Sequence, residues 1–278
     1  MKKLLYFALA SMMLMGCSEA EQTEQSDELT KVSLSFSPYE QSAMARTTRA
    51  ASSIAGIVTH LDVWITDGTT TQDIHQTSSD TDFGSLSVTL NKTKTYTIYA
   101  IGHKADGATL SDGIISFTND KVTHSMFYTT TFTPSETTSL SCLMQRIVSQ
   151  FSFSTTDQVP DNVTKMTLTV NDVFDRWNVS TGATHSLNRT STFENFSKKA
   201  DGTVTFNIFS IVTDAQTTHD ITVTAYDAQD NIVQQRTFTA VPLRNGYKTS
   251  YRGIYFTDTP TTAAFTVNDW NEYDEVSF

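Results

Sequence analysis

The segment formed by residues 139–154, SLSCLMQRIVSQFSFS, constrains the fold more than any other part of the chain. Its apolar residues occupy two sets of alternate positions: Leu140, Cys142 and Met144 in one set, and Leu143, Ile147, Phe151 and Phe153 in the other. Because successive side chains of a strand point to opposite faces, one half-buried strand cannot bury both sets. The pattern predicts a bend or crossover near Arg146, where one β-domain closes and a second begins.

The length of the chain allows this division, since 278 residues suffice for two domains of ordinary size. One larger domain is the alternative. Aromatic and β-branched residues are frequent, and no long segment carries apolar residues at the i, i+3, i+4, i+7 spacing of an amphipathic helix. The sequence therefore predicts an all-β fold, with domains at residues 30–145 and 146–278.

The charge excludes one class of partner. The formal net charge is −11, and a surface that follows phosphate groups needs clustered lysine and arginine. We therefore expect no binding to nucleic acid.

No motif of catalysis or metal binding is present. The chain lacks G-x-S-x-G, a phosphate-binding glycine loop and H-E-x-x-H. Asp80 and Asp82 precede Gly84, but the further ligands of a calcium loop are missing, which predicts a turn. The six histidines are scattered along the sequence and are interpreted as strand or surface residues: His60, His75, His103, His124, His185 and His219. We expect no enzyme activity, no cofactor and no metal.

The first 17 residues have the layout of an export signal. Two lysines precede an apolar run at residues 4–15, and Leu14-Met15-Gly16-Cys17 follows. The run is shorter than the roughly 20 residues of a membrane-spanning helix. A small residue before a lone cysteine resembles a bacterial lipoprotein signal, which predicts removal of residues 1–16 and a lipid on Cys17. A plain cleaved signal peptide is the alternative. Cys142 has no internal disulfide partner and is predicted to be buried.

A tether and a strand follow the signal. Residues 17–29 are acidic and almost free of large apolar side chains, which predicts a solvated tether. Val32, Leu34 and Phe36 alternate as in a half-buried strand. The polar segment after them contains Arg46 and Arg49, where a trypsin-like protease could cut. The alternative is that both arginines are ordinary solvated loop charges.

Other segments carry weaker signals. Residues 96–101, YTIYAI, are apolar on both parities, which predicts a central strand covered on both faces. Residues 171–201 form the longest irregular stretch, and a loop of this length is usually functional or a small structure of its own. The three tryptophans could stack on sugar rings, although filling of β-cores is the favoured interpretation: Trp64, Trp177 and Trp270.

Taken in order along nearly the whole chain, several short motifs resemble those of the fimbrillins, the FimA-type pilin subunits of Bacteroidales-type bacteria. They are Leu14-Met15-Gly16-Cys17, Thr48-Arg49-Ala50, Tyr96-Thr97-Ile98-Tyr99-Ala100-Ile101-Gly102, Leu143-Met144-Gln145-Arg146-Ile147-Val148, Val241-Pro242-Leu243-Arg244-Asn245-Gly246-Tyr247 and Val267-Asn268-Asp269-Trp270.

The resemblance implies two tandem transthyretin-like β-sandwich domains in a structural subunit of a cell-surface fimbria. It further implies an outer-membrane lipoprotein precursor held by the lipid on Cys17, and arginine-specific cleavage that removes the Val32, Leu34, Phe36 strand. The implied partners are other fimbrial subunits, with a host surface or glycan as a further candidate.

Strand removal would leave an apolar groove with unpaired backbone groups, which a strand from another subunit can fill. Phe265 and Val267, or Val276 and Phe278, are the candidate donors, and the sequence does not choose between them. Two alternatives stay open. One is an anchor or tip subunit that keeps its lipid, and the other is a surface glycan-binding lipoprotein.

Overall fold

The computed structural model describes residues 28–39, 53–212, 217–257 and 265–269. Within these ranges the chain forms β-strands and two single 3-10 turns, Ile54–Gly56 and Thr118–Asp120. In chain order the strands are β1 (Leu29–Pro38), β2 (His60–Thr66), β3 (Thr71–Thr77), β4 (Ser85–Asn91), β5 (Tyr96–His103), β6 (Ala108–Ser111), β7 (Ile114–Phe117), β8 (Ser125–Phe132), β9 (Ser139–Arg146), β10 (Val148–Thr155), β11 (Lys165–Val173), β12 (Arg176–Asn178), β13 (Gly182–Thr184), β14 (Leu187–Glu194), β15 (Thr205–Ile211), β16 (Thr217–Tyr226), β17 (Ile232–Leu243), β18 (Tyr247–Gly253) and β19 (Phe265–Asp269).

The first sandwich is one hydrogen-bonded series of strands in the order β3-β2-β5-β8-β9-β1-β4. β8 and β9 share only two residue pairs, Met126 with Arg146 and Phe127 with Gln145, and the series divides there into two layers. Side chains from both layers meet in one core, which includes Leu34, Ile65 and Met144. The central strand predicted from residues 96–101 is confirmed, since β5 lies between β2 and β8.

The chain leaves the first sandwich where the apolar parity changes. β9 ends at Arg146 and packs Cys142 and Met144 into the first core, whereas β10 packs Phe151 and Phe153 into the second. Leu143 departs from the predicted pattern, because its side chain is 50% exposed. It still belongs to β9, and its side chain therefore points away from the face that Cys142 and Met144 bury.

The second sandwich consists of two four-stranded sheets, β15-β10-β18-β19 and β14-β11-β16-β17. Several aromatic rings pack against one another in its core. Phe153 stacks on Tyr251 at 5.5 Å between ring centroids and meets Tyr255 edge-on at 5.2 Å. The Tyr255 hydroxyl is buried and donates to the carbonyl of Val223 at 2.8 Å, which satisfies the one polar group of that ring. The predicted fold class, all-β with two tandem sandwiches, is confirmed.

A small third sheet, in the order β13-β12-β7-β6, joins the two sandwiches. β7 comes from the first half of the chain and β12 from the second, and Trp177 of β12 lies opposite Ile115. The Trp177 ring packs on Phe127 at 5.4 Å between centroids. The prediction of an irregular stretch at residues 171–201 is wrong for most of its length, because β12, β13 and β14 all lie within it.

Candidate functional site

β1 lies inside a sheet although it is the first strand of the described chain. It runs parallel to β9 on one side and antiparallel to β4 on the other. Its inward side chains are almost fully buried, with exposed fractions of 0% for Val32, 1% for Leu34 and 4% for Phe36. The strand predicted from the alternation of Val32, Leu34 and Phe36 is therefore present as β1, the middle strand of the β9-β1-β4 layer.

The second cysteine, Cys142, lies beside β1 on the neighbouring strand β9. Phe36 lies beside Cys142 of β9 in the parallel register, and its ring meets the edge of Tyr128 at 6.5 Å. Cys142 is fully buried, and this burial raises the pKa of its thiol to about 11. The prediction of a buried, unpaired Cys142 is confirmed. Removal of β1 would take away Phe36, the residue that lies beside this thiol in the sheet.

Backbone hydrogen bonds hold β1 on both sides. Beyond the paired registers, the Ser33 amide donates to the carbonyl of Thr138 at 2.9 Å, and the Phe36 amide donates to the carbonyl of Gly84 at 2.8 Å. At the end of the strand, the Tyr39 amide donates to Met144 at 2.8 Å. Loss of β1 would leave two strands, β4 and β9, with unpaired backbone groups facing each other across one gap.

The turn between β3 and β4 closes one end of this gap. Residues 80–84 form the turn predicted from the sequence. Gly84 has a φ of +87°, and a Cβ there would lie 3.1 Å from Cγ1 of Ile54, so the position demands glycine. The buried Gln76 side chain holds the turn, since its Oε1 accepts from the Gly84 amide at 3.0 Å and its Nε2 donates to the Ser85 carbonyl at 3.1 Å.

We expect Gln76→Ala to lower the free energy of unfolding by about 1–3 kcal/mol, because it leaves buried backbone groups of the turn without partners. Gln72→Ala, the same change at an exposed position of the same strand, should change it by less than about 0.5 kcal/mol. Urea denaturation of the two variants measures the difference, and equal midpoints would contradict this role for Gln76.

Serine side chains occupy the middle of the outer face of this layer. Ser33 and Ser35 of β1 lie beside Ser139 and Ser141 of β9, and opposite Ser87 and Ser85 of β4. Any strand that replaces β1 therefore needs large apolar side chains at three alternate positions and small or polar ones between them.

The other predicted site residues are placed as follows. Cys17, Arg46, Arg49, Val276 and Phe278 lie outside the described residues. Phe265 and Val267 belong to β19, which pairs antiparallel with β18 at the edge of a sheet of the second sandwich. One candidate donor segment is therefore already paired within its own chain.

The tryptophans do not form an open sugar-stacking surface in the described part of the chain. Trp64 is only 3% exposed, and Trp177 packs on Phe127 at the junction of the sandwiches. Trp270 lies outside the described residues.

Three of the six histidines are not scattered in the fold. β3 and β5 flank β2, and the register places His75 opposite Asp62 and His103 opposite His60. The buried Asp62 carboxylate accepts from His75 Nδ1 at 2.7 Å and from His103 Nε2 at 2.6 Å. The sequence places only His60 and Asp62 close together, so the cluster could not be recognised before the strand pairing was known.

The described ranges contain neither a cluster of metal ligands nor a membrane-spanning helix. No group of three or more His, Cys, Asp or Glu side chains in them is arranged to hold a metal ion. No helix in them has the length and apolarity needed to cross a membrane, and the apolar leader at residues 4–15 lies outside them.

Comparison with known proteins gives structural matches only. No protein-family model and no curated protein matches the sequence. A candidate adhesin from Bacteroides ovatus has a TM-score of 0.54 at 13% identity, covering 87% of this chain and 95% of its own. A candidate adhesin from Bacteroides thetaiotaomicron has a TM-score of 0.51 at 10% identity, covering 86% and 96%. The fimbrial anchor protein Mfa2 from Porphyromonas gingivalis has a TM-score of 0.50 at 11% identity, covering 86% and 97%. At these identities the similarity establishes a shared fold.

Proposed function

We propose that this chain is a structural subunit of a cell-surface fimbria, exported as an outer-membrane lipoprotein and assembled by strand exchange after β1 is removed. The observation that supports this most directly is the position of β1, a terminal strand that fills the middle of a layer between β9 and β4. Mfa2, which is named as a fimbrial anchor, has the same fold. The function is structural, with no catalytic step and no cofactor.

The two arginines lie at a suitable position for the proteolytic cleavage that would free β1. Arg46 and Arg49 lie between the end of β1 at Pro38 and the turn that begins at Ile54. One cut after either residue separates the lipid on Cys17, the acidic tether and β1 from the rest of the chain. Once β1 has then been displaced, the groove is open and the subunit is no longer attached to the membrane.

Cleavage alone is not expected to eject β1. Burial of Val32, Leu34 and Phe36 stabilises its position by roughly 1.5–3 kcal/mol for each side chain. An incoming strand has to displace it by making equivalent contacts. To reuse the same hydrogen bonds, that strand must run parallel to β9 and antiparallel to β4.

The C-terminal segments satisfy this requirement only in part. Phe265 with Val267 supplies two large apolar side chains at alternate positions, and so does Val276 with Phe278, whereas β1 supplies three. Use of Phe265 and Val267 would also require β19 to leave β18. We therefore favour Val276 and Phe278 as the donor within this proposal.

An anchor or tip subunit is the second candidate, because the pairing of β19 with β18 reduces what this chain can donate. Such a subunit would have the same fold but keep its lipid or end the fibre. The glycan-binding alternative loses support from the burial of Trp64.

The N-terminus of the protein recovered from cells distinguishes the two candidates. For a fibre subunit we expect mass spectrometry of the surface-exposed form to show a chain that starts at Thr47 or Ala50. The double variant Arg46→Ala, Arg49→Ala should instead keep the lipid on Cys17 and form no fibres. A wild-type chain that begins at the lipidated Cys17 would contradict the fibre-subunit assignment and support the anchor.

A further inference from the structure

Two imidazole nitrogens face each other on the outer side of the β3-β2-β5 layer. Nδ1 of His60, on β2, lies 3.5 Å from Nε2 of His75, on β3. The His75 side chain is 45% exposed, so solvent and dissolved ions can reach the pair.

The hydrogen bonds of His75 define which nitrogen carries its proton. Its Nδ1 lies 2.7 Å from the buried Asp62 carboxylate, which can only accept when ionised, so Nδ1 carries the hydrogen in the neutral ring. Nε2 is then left with a lone pair that points towards His60.

The separation of the two nitrogens suits a shared cation. At 3.5 Å it exceeds the usual length of a nitrogen hydrogen bond, about 2.9–3.0 Å. Two zinc–nitrogen bonds of about 2.0–2.1 Å at the tetrahedral angle place their nitrogens about 3.3 Å apart. The observed separation of the two nitrogens therefore lies within a few tenths of an ångström of that in a two-histidine zinc site.

The surroundings fix both rings. Asp62 orients His75 as a carboxylate orients a zinc-binding histidine, and it also holds the fully buried His103 at 2.6 Å. The His103 ring stacks on the His60 ring, with 5.4 Å between centroids and 10° between planes, and this contact limits the rotation of the His60 ring.

We propose that His60 and His75 bind one zinc ion, with water in its remaining positions and Asp62 positioning His75. The described residues offer no third protein ligand, so the site is open and binds reversibly. It departs from the expectation of no metal drawn from the sequence, and it is independent of the proposed fimbrial function.

A natural control exists elsewhere in the chain. His185 donates from Nδ1 to the buried Asp175 carboxylate at 2.8 Å, and its side chain is 47% exposed. As in the Asp62–His75 pair, a buried aspartate accepts from Nδ1 of a histidine, and the histidine side chain is exposed to a similar extent. Among the described contacts it has no second imidazole, so it should not bind zinc comparably.

The test is calorimetric titration of ZnCl₂ into the tag-free mature chain carrying Cys17→Ser, at neutral pH. We expect one zinc per chain, a loss of at least about tenfold in affinity for His60→Ala and for His75→Ala, and a loss of about 10–100-fold for Asp62→Asn. His185→Ala should bind as the parent does. Circular dichroism of each variant shows that the fold is retained, and His75→Ala provides the decisive comparison because its side chain is half exposed.

Absence of binding up to about 1 mM zinc would overturn the proposal. Binding that persists in His75→Ala, or that is lost equally in His185→Ala, would overturn it as well.

Discussion

Labelling of Cys142 by a thiol reagent should accelerate by about 200-fold at about pH 8 when β1 is removed from the first sandwich. Burial raises the pKa of this thiol to about 11, which leaves about 0.1% of it as the reactive thiolate at that pH. A thiol that reaches water has an ordinary pKa of about 8.5 and is about one quarter thiolate. Easier access of the reagent adds to this factor.

Protein lacking residues 1–17 suits this measurement, because Cys142 is then its only thiol. Three samples are compared: uncut protein, protein cut after Arg46 or Arg49 with β1 retained, and cut protein from which β1 has been separated in moderate urea. Only the third should react quickly.

Re-addition of a synthetic peptide of residues 28–39 should restore protection, which distinguishes an open groove from an unfolded domain. A peptide with Leu34→Asp is the matched control, because a charge at this buried position prevents binding. Equal labelling rates in all three samples would show that β1 does not cover Cys142.

Two features of this fold could be predicted from the sequence because they depend on local alternation. The Val32, Leu34, Phe36 pattern has the period of a strand, and the structure places these residues in β1. The parity change within residues 139–154 marks the passage from β9 to β10. The prediction that Leu143 is buried is wrong, because an apolar residue within a strand can also lie on its outer face.

Features that depend on pairing between distant strands could not be predicted in the same way. β12 and β13 have three residues each, too few to show the alternation of a strand. β12 is positioned by its pairing with the distant strand β7. The histidine cluster could not be predicted from the sequence either, because it forms only when β3 and β5 lie on either side of β2 in one particular register.

The uncut precursor is expected to stay monomeric, whereas the cut full-length chain is expected to form fibres. β1 belongs to the same molecule and competes for its groove at high effective concentration, so an external strand cannot replace it before cleavage. After the cut, a strand from a neighbouring subunit can displace β1 from its place between β4 and β9. Deletion of residues 269–278 removes Val276 and Phe278 while the groove residues remain.

The most direct test compares three preparations under identical conditions by size-exclusion chromatography and electron microscopy: uncut full-length protein, cut full-length protein, and cut protein lacking residues 269–278. Strand exchange with a donor at the C-terminal end predicts fibres from the cut full-length protein alone. Equal polymerisation of the shortened protein would place the donor upstream of Asp269. Fibres from the uncut protein would contradict the claim that β1 must leave before subunits join.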